Sequence, residues 1–445
     1  MIQRLIDGDS VVIFDPESLH YSIFPEGANE ESYSAAERKL QLRASTLAEA
    51  NPYLERISTI DTLAIANTMS CNMTCDYCYC GELPLVGQNS SLSDHQRDQV
   101  EHFLRARAGS AASLIFIGGE PFVGARSLRA TVEMAQAFSA KLDIDLSVTI
   151  YTNGLALNEK WMKWVNQNQI RLLISLDGPP IEHDSRRHLR NGRPSSKQIR
   201  SNILRYMAEY WSRHRSVRCV APNSPHLERL PEYFLALGFN DIGIQPLYDE
   251  TGNQDPMTID DHLRAIRWYG QKLRDSIIFR LEPYTGLFIR LAKRGKAVQS
   301  HFPCTVGGGM CGLSDSGNLT PCHHFFGDLE YDQYLDRDKW YEARPELSLP
   351  VDQREPCRKC FAKYLCGGEC YHRAYVATGD YFGTIATNCA SRQSLVAPIV
   401  REFDKTMRIA PMSILRLARG DYTEMSPDEH AWTAEKLEDF DAYNR

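Results

Sequence analysis

Much is missing from this sequence of 445 residues. It has no uninterrupted apolar run of about 18 residues, which excludes a bilayer-spanning hydrophobic helix. It has no long Lys/Arg run, and 50 basic residues against 57 acidic ones leave a net charge of −7. A polybasic nucleic-acid binder or membrane-surface binder is therefore not expected. The first residues, Met1-Ile2-Gln3-Arg4-Leu5-Ile6-Asp7, meet charge too early to build the apolar stretch of a secretion signal, so a cytoplasmic location is expected. No internal repeat or low-complexity tract is evident. With 43% hydrophobic and 24% charged residues, the chain has the composition of a folded protein and not of a disordered one. The length suggests about three domains.

Cysteine, by contrast, is abundant and clustered. Of the 13, Cys71, Cys75, Cys78 and Cys80 lie close together and Cys219 stands alone. Cys304, Cys311, Cys322, Cys357, Cys360, Cys366, Cys370 and Cys389 form a second region. In a reducing compartment such clusters point to metal binding or catalysis, not to disulfides. Between the clusters, strand-length apolar runs at 63–66, 114–117, 146–151, 171–176, 217–221 and 242–247 alternate with helix-like stretches. The latter fall at 93–107, 126–141, 158–168, 196–213, 228–237 and 259–275. Repeated strand–helix units predict a parallel α/β sheet with outer helices, curled by right-handed crossovers toward a barrel or half-barrel. Ligands gather at the carboxyl ends of such strands. The polar motifs sit there: Gly118-Gly119-Glu120-Pro121, Thr152-Asn153-Gly154 and Ser175-Leu176-Asp177-Gly178 each close a strand, and Cys71 follows the first.

Cys71-x3-Cys75-x2-Cys78 places three thiolates in one loop. Cubic iron–sulfur clusters take Cys ligands, normally four, and three would leave one iron open. A zinc knuckle or cysteines packed as small hydrophobes are the alternatives from spacing alone. The loop, with Tyr77 before its third Cys, resembles the signature of the radical S-adenosylmethionine (SAM) superfamily. The resemblance implies a partial (β/α)6 TIM-like barrel and a [4Fe–4S] cluster on Cys71, Cys75 and Cys78 whose free iron takes SAM. It implies that Gly118, Gly119 and Glu120 meet the methionine amino group, that Ser175 and Asp177 meet the ribose, and that Tyr77 and Asn153 belong to the same cofactor site. One electron would then split SAM to a 5′-deoxyadenosyl radical, with the cofactor supplying the difficult chemistry.

In the second region, Cys304-x12-Gly317-x4-Cys322, then Cys357-x2-Cys360-x5-Cys366-x3-Cys370, then Cys389 is similar to the SPASM extension of peptide-modifying members. Two structural zinc sites, or a disulfide scaffold in an oxidising compartment, are the alternative readings of eight cysteines. The resemblance implies two auxiliary [4Fe–4S] clusters, and so three in all. Its interleaved pattern assigns Cys304, Cys311, Cys322 and Cys370 to the nearer one, and Cys357, Cys360, Cys366 and Cys389 to the farther. Cys80 and Cys219 are left over, the latter as plain core.

The resemblance spans about residues 60–395. It divides the chain into an N-terminal hairpin and helix at 1–60, a reduced peptide-recognition element or a simple flap, followed by a barrel at 61–295. A SPASM region at 296–395 and a polar helical segment at 396–445 complete it. Sulfatase maturases of this kind carry an Asp after the Cys that closes G-x4-C; here that residue is His323. The departure argues against formylglycine formation. It favours an intrapeptide cross-link in a ribosomally synthesised precursor peptide, a cyclophane-type C–C bond first and a thioether second, with an anaerobic sulfatase-maturating enzyme as the remaining alternative. The expected partners are that peptide and a flavodoxin- or ferredoxin-type electron donor. His323 is the candidate base, since imidazole titrates near neutral pH; Asp328 and Glu369 are no better supported.

Overall fold

A computed structural model describes residues 2–45, 60–78, 80, 93–221, 227–248, 258–293, 299–304, 306, 309–326 and 349–422. The expected six strands are β4 (Thr62–Ile65), β6 (Ala111–Phe116), β7 (Asp145–Thr152), β8 (Arg171–Ser175), β10 (Ser216–Ala221) and β11 (Asp241–Pro246). They lie side by side in that order and all are parallel. Along β6, β7 and β10 fully buried residues alternate with half-buried ones, so one face of the sheet is sealed and the other is partly open. Leu114, Phe116, Ile150, Leu172, Ile174, Val217, Cys219 and Ile242 belong to one continuous core.

Polar caps set the intervening helices. Ser93 and Gln96 form a reciprocal capping box for Asp94–Ala106, as do Thr258 and Asp261 for Ile259–Arg274, and Asn158 caps Glu159–Gln167. Gln96 also reaches inward, donating from Nε2 to Ala66 O at 3.2 Å and Ser314 O at 2.8 Å.

The sheet is longer than expected. β12 (Arg280–Glu282) extends one edge, and β13 (Met310–Leu313) pairs parallel with β4 at the other, followed by the antiparallel β14 (Leu319–Thr320). Short runs such as these are set by their partners and carry little local signal. A further two-stranded sheet pairs β5 (Met73–Cys75) with β9 (Arg187–Leu189).

At the N-terminus, the expected hairpin is β2 (Ser10–Asp15) with β3 (His20–Pro25), Val11 facing Phe24, and β1 (Gln3–Asp7) adds a third strand. Val11 and Ile13 pack against Ala36 and Leu40 of the helix Glu30–Ser45. Val12 and Phe14 turn to the main core. The C-terminal helices Val396–Ile409 and Pro411–Arg419 bury Val400, Phe403, Ile414 and Leu417. They are amphipathic and join the core; their polar overall composition conceals that stripe. Residues 423–445, where the notional segment ends, lie outside the described residues.

Candidate functional site

The three-thiol loop is held from two sides. Its β5 segment pairs with β9 so that Cys75 faces Arg187. Arg190 Nη1 donates to Cys71 O at 2.9 Å, and His188 Nε2 bonds Asp76 Oδ1 at 3.0 Å. On the other side the Gly118-Gly119 turn presses against residues 67–70. Gly119 N donates to Thr68 O at 3.1 Å and Glu120 N to Ser70 O at 2.9 Å. A Cβ on Gly119 would lie 2.3 Å from Ser70 O, and Gly118 holds φ +131°. Only glycine permits this approach. Cys80 Sγ lies 3.7 Å from Gly118 O, beside the loop.

The strand-end residues then lock together. Glu120 is buried; its Oε1 accepts from Thr152 Oγ1 at 2.8 Å and its Oε2 from Asn153 N at 2.8 Å. Asn153 Nδ2 donates to Asn72 Oδ1 at 2.7 Å and lies 3.9 Å from Cys71 Sγ. The Tyr77 hydroxyl donates to Asp177 Oδ2 and accepts from Arg187 Nη1 at 2.7 Å. Asp177 Oδ1 accepts from Val220 N at 3.1 Å, so both oxygens of this expected ribose contact are engaged inside the protein. Ser175 ends β8, half-buried.

A relay supports Arg187. Asp177 N donates to His183 Nδ1 at 3.2 Å, His183 Nε2 bonds Ser195 Oγ at 3.0 Å, and Ser195 Oγ donates to Arg187 O at 2.7 Å. Sequence reading missed Arg187, because a lone arginine in a polar loop has no spacing signal. Only the β5–β9 pairing carries it to the cysteines.

Burial pushes the Cys71 thiol up to about 12, with the Glu120 charge adding to it. Burial also raises Cys75, opposed by the Arg187 cation. Cys78 is lowered to about 6, chiefly by its hydrogen bond with the Cys80 thiol. Buried thiols crowded in this way ionise together only when a cation replaces their protons, which is how a metal group binds.

Farther along, the structure gathers the second region into two sets. Cys357, Cys360, Cys366 and Cys389 line a cavity of about 250 Å³. Cys366 ends the helix Lys363–Cys366, and Cys389 lies in Ala386–Ser394. From the latter helix Gln393 Nε2 approaches Cys360 Sγ at 3.3 Å, and Arg392 Nη1 approaches Cys366 Sγ at 3.4 Å. Burial and then Cys366 and Cys389 push the Cys357 thiol up to about 11.

The other set is Cys304, Cys322 and Cys370; burial raises the Cys322 thiol, and charge at the other two adds to the rise. Cys311 stands apart from it. Its thiol is pushed up to about 12 by burial alone. It packs in the main core with Leu313, whereas its neighbour Met310 packs beside Cys322 and Phe325. Alternation along β13 therefore turns Cys311 away from the set to which the sequence pattern assigns it.

His323 is half-buried; its ring lies 4.3 Å from that of His324 in a tilted contact, and His324 stacks on His372 at 5.2 Å. Burial lowers its pKa to about 4, so it is neutral near pH 7. Glu369 is buried, its oxygens taken by Cys370 N, Arg392 Nη2 and Asn388 Nδ2. Asp328 lies outside the described residues.

Soft thiolates in threes and fours, with Arg187 and Arg392 beside them to offset negative charge, are a donor chemistry that fits iron–sulfur groups.

Comparison with known proteins gives a consistent picture. Residues 68–232 match the radical SAM superfamily. A cysteine-type anaerobic sulfatase-maturating enzyme of Clostridium perfringens is 23% identical over 332 residues, covering 67% of this chain and 85% of that one. A serine-type enzyme of Klebsiella aerogenes is 22% identical, with 68% and 77% covered. Among solved structures, native anSMEcpe with bound AdoMet superposes with a TM-score of 0.62 at 20% identity, covering 80% of this chain and 99% of that one. Streptococcus suis SuiB bound to precursor peptide SuiA does so with 0.54 at 14% identity, covering 87% and 100%. With the three-thiol loop on the carboxyl edge of a parallel partial barrel, and with this match, residues 68–232 form a radical SAM domain.

Proposed function

We propose that the protein is a SPASM-type peptide maturase that cleaves SAM reductively and oxidises a ribosomally made peptide, closing an intrapeptide cross-link. The observation that carries the reading is the grouping of the cysteines: three on the barrel edge, and two further sets on the C-terminal side. Cys71, Cys75 and Cys78 would hold the SAM cluster. Cys357, Cys360, Cys366 and Cys389 would hold one auxiliary cluster, and Cys304, Cys322 and Cys370 the other, with Cys311 as its fourth ligand only if β13 rotates. When bound, the SAM-loaded cluster supplies a 5′-deoxyadenosyl radical.

The chain's own residues do the rest. Glu120, Asn153 and Arg190 fix the cysteine loop, and Arg187 offsets charge beside it. The buried strand ends keep water from the radical. Joining two C–H carbons removes two hydrogens. One leaves as an atom on 5′-deoxyadenosine; the other leaves as a proton plus an electron. The auxiliary centres, held by the C-terminal cysteines, would accept the electron and pass it to a flavodoxin- or ferredoxin-type protein. His323, standing where sulfatase maturases carry an Asp, is the candidate proton acceptor, and a C–C cyclophane is the preferred product.

The second reading is a sulfatase maturase, favoured by the names of the relatives and by the structures they resemble. Anaerobic reconstitution, reduction and mass spectrometry of co-expressed peptides separate the two. Loss of two hydrogens with no aldehyde reactivity supports the cross-link. An aldehyde on a sulfatase peptide supports formylglycine formation. Absence of 5′-deoxyadenosine on reduction with SAM would defeat both.

A further inference from the structure

Arg373 stands where the barrel meets the C-terminal cysteine region. It lies in the helix Tyr371–Thr378, three residues after Cys370. Its guanidinium centre is 3.7 Å from the centroid of the Tyr248 ring. Tyr248 follows β11 on the carboxyl edge of the sheet, the edge that also carries Cys71, Glu120, Asn153 and Asp177. A planar cation laid on a ring keeps its N–H edges for a further partner.

Within the protein that partner is incomplete. Arg373 Nη1 is buried and has no hydrogen-bond acceptor among the described residues, while the side chain as a whole stays 26% exposed. Glu369 Oε1 is 3.8 Å away, beyond hydrogen-bond reach. That oxygen already accepts from Cys370 N at 2.9 Å and Arg392 Nη2 at 3.2 Å, and Oε2 accepts from Asn388 Nδ2 at 3.1 Å. Two arginines thus face one carboxylate, and Arg392 is the one bonded to it. A buried donor without an acceptor is unfavourable unless a ligand supplies one.

We infer that Arg373, braced on Tyr248, is a specificity residue that binds a carboxylate of the peptide substrate at the barrel mouth. The inference rests on the peptide-maturing reading above. The carboxylate is an Asp or Glu side chain or a peptide C-terminus, which a guanidinium binds through paired N–H bonds.

The test uses reconstituted holoenzyme, immobilised without air, and two random-sequence peptide libraries. One keeps Asp, Glu and free C-termini. The other has Asn and Gln in their place and amidated ends. Wild type is expected to retain the acidic library about tenfold better. Arg373→Gln should abolish that preference, Arg373→Lys should restore part of it, and Tyr248→Leu should weaken it. Iron content equal to wild type certifies that each variant is assembled; if R373Q fails this check, R373K and Y248L carry the test. A further arm, the acidic library with amidated ends, tells side-chain from terminal carboxylates. If R373Q alters the spectrum of an auxiliary centre while the acidic preference persists, Arg373 balances charge there and the inference is overturned. Peptides retained by wild type without regard to carboxylates would overturn it and spare the peptide-maturing reading. Retention of neither library would remove both.

Discussion

Cys311 pairs with Leu63 across the β13–β4 ladder, and its thiol shares a face with Leu313. At this position residue identity and residue placement disagree. The cysteine pattern makes it a ligand; the strand makes it core. Cys311→Ala is therefore expected to keep wild-type iron content after reconstitution and to lose about 1–2 kcal/mol of stability. Cys370→Ala is expected to lose the iron of one centre. Iron assay and Mössbauer spectra of the two variants decide the matter, and equal iron loss from both would return Cys311 to the ligand set. Cys71, Cys75 and Cys78 show as a group in the string because their spacing is close, whereas Cys304, Cys322 and Cys370 are far apart in it and are grouped only through the family resemblance. Arg187, Arg392 and Arg373 were not legible, because each reaches its place through a strand pairing or helix packing that no local pattern encodes.

The strands and helices of the barrel were legible as elements because each carries its own period and cap. The ends of the sheet were not. β5, β9, β12 and β14 span two or three residues each, too few for alternation to register, and exist because a partner strand is beside them. The turn after β6 has the opposite character, since its chemistry is local but its necessity is not. Gly119→Ala would drive a Cβ to 2.3 Å from Ser70 O and 2.7 Å from Ser70 C. The clash is with backbone, so the segment leading into Cys71 must move. Expected are a loss of about 2–4 kcal/mol and at least about tenfold less 5′-deoxyadenosine on reduction, with the C-terminal iron retained. Gly109→Ala is the control: φ is +68° but nothing lies within 4 Å of the added carbon. It should cost about 1 kcal/mol and leave SAM cleavage intact. Thermal unfolding and product assays on both variants test the contrast, and similar losses would show that strain at glycine, not contact with the cysteine loop, is what matters.

At the scale of the whole molecule, buried polar groups tie distant parts of the chain. Arg274 bonds Glu402, both side chains buried, joining the helix Ile259–Arg274 to Val396–Ile409. Removing one partner strands the other, so Glu402→Ala should destabilise by about 3–5 kcal/mol. A chemical-denaturation midpoint unchanged from wild type would refute that. The buried histidines make the fold sensitive to acid. Burial depresses His183 from 6.5 to about 3 and His262 from 6.5 to about 4. A histidine whose folded pKa is depressed is neutral in the fold and favours folding fully above pH 6.5. As pH falls below 6.5 the unfolded chain takes up protons that the folded one refuses, and stability declines until the folded pKa is reached. The slope is about 1.4 kcal/mol per pH unit for each such group. His183 also accepts from Asp177 N and bonds Ser195, so His183→Gln should be less stable than wild type near neutrality. That deficit should shrink on acidification, because glutamine has no proton to take up. Unfolding midpoints of air-free protein at about pH 7.5, 6 and 5 measure the gap. A gap that stays constant or widens toward acid would mean that His183 takes up its proton in the fold, so that Nδ1 does not accept from Asp177 N and the Asp177–His183–Ser195–Arg187 relay beside the cysteine loop runs through an imidazolium.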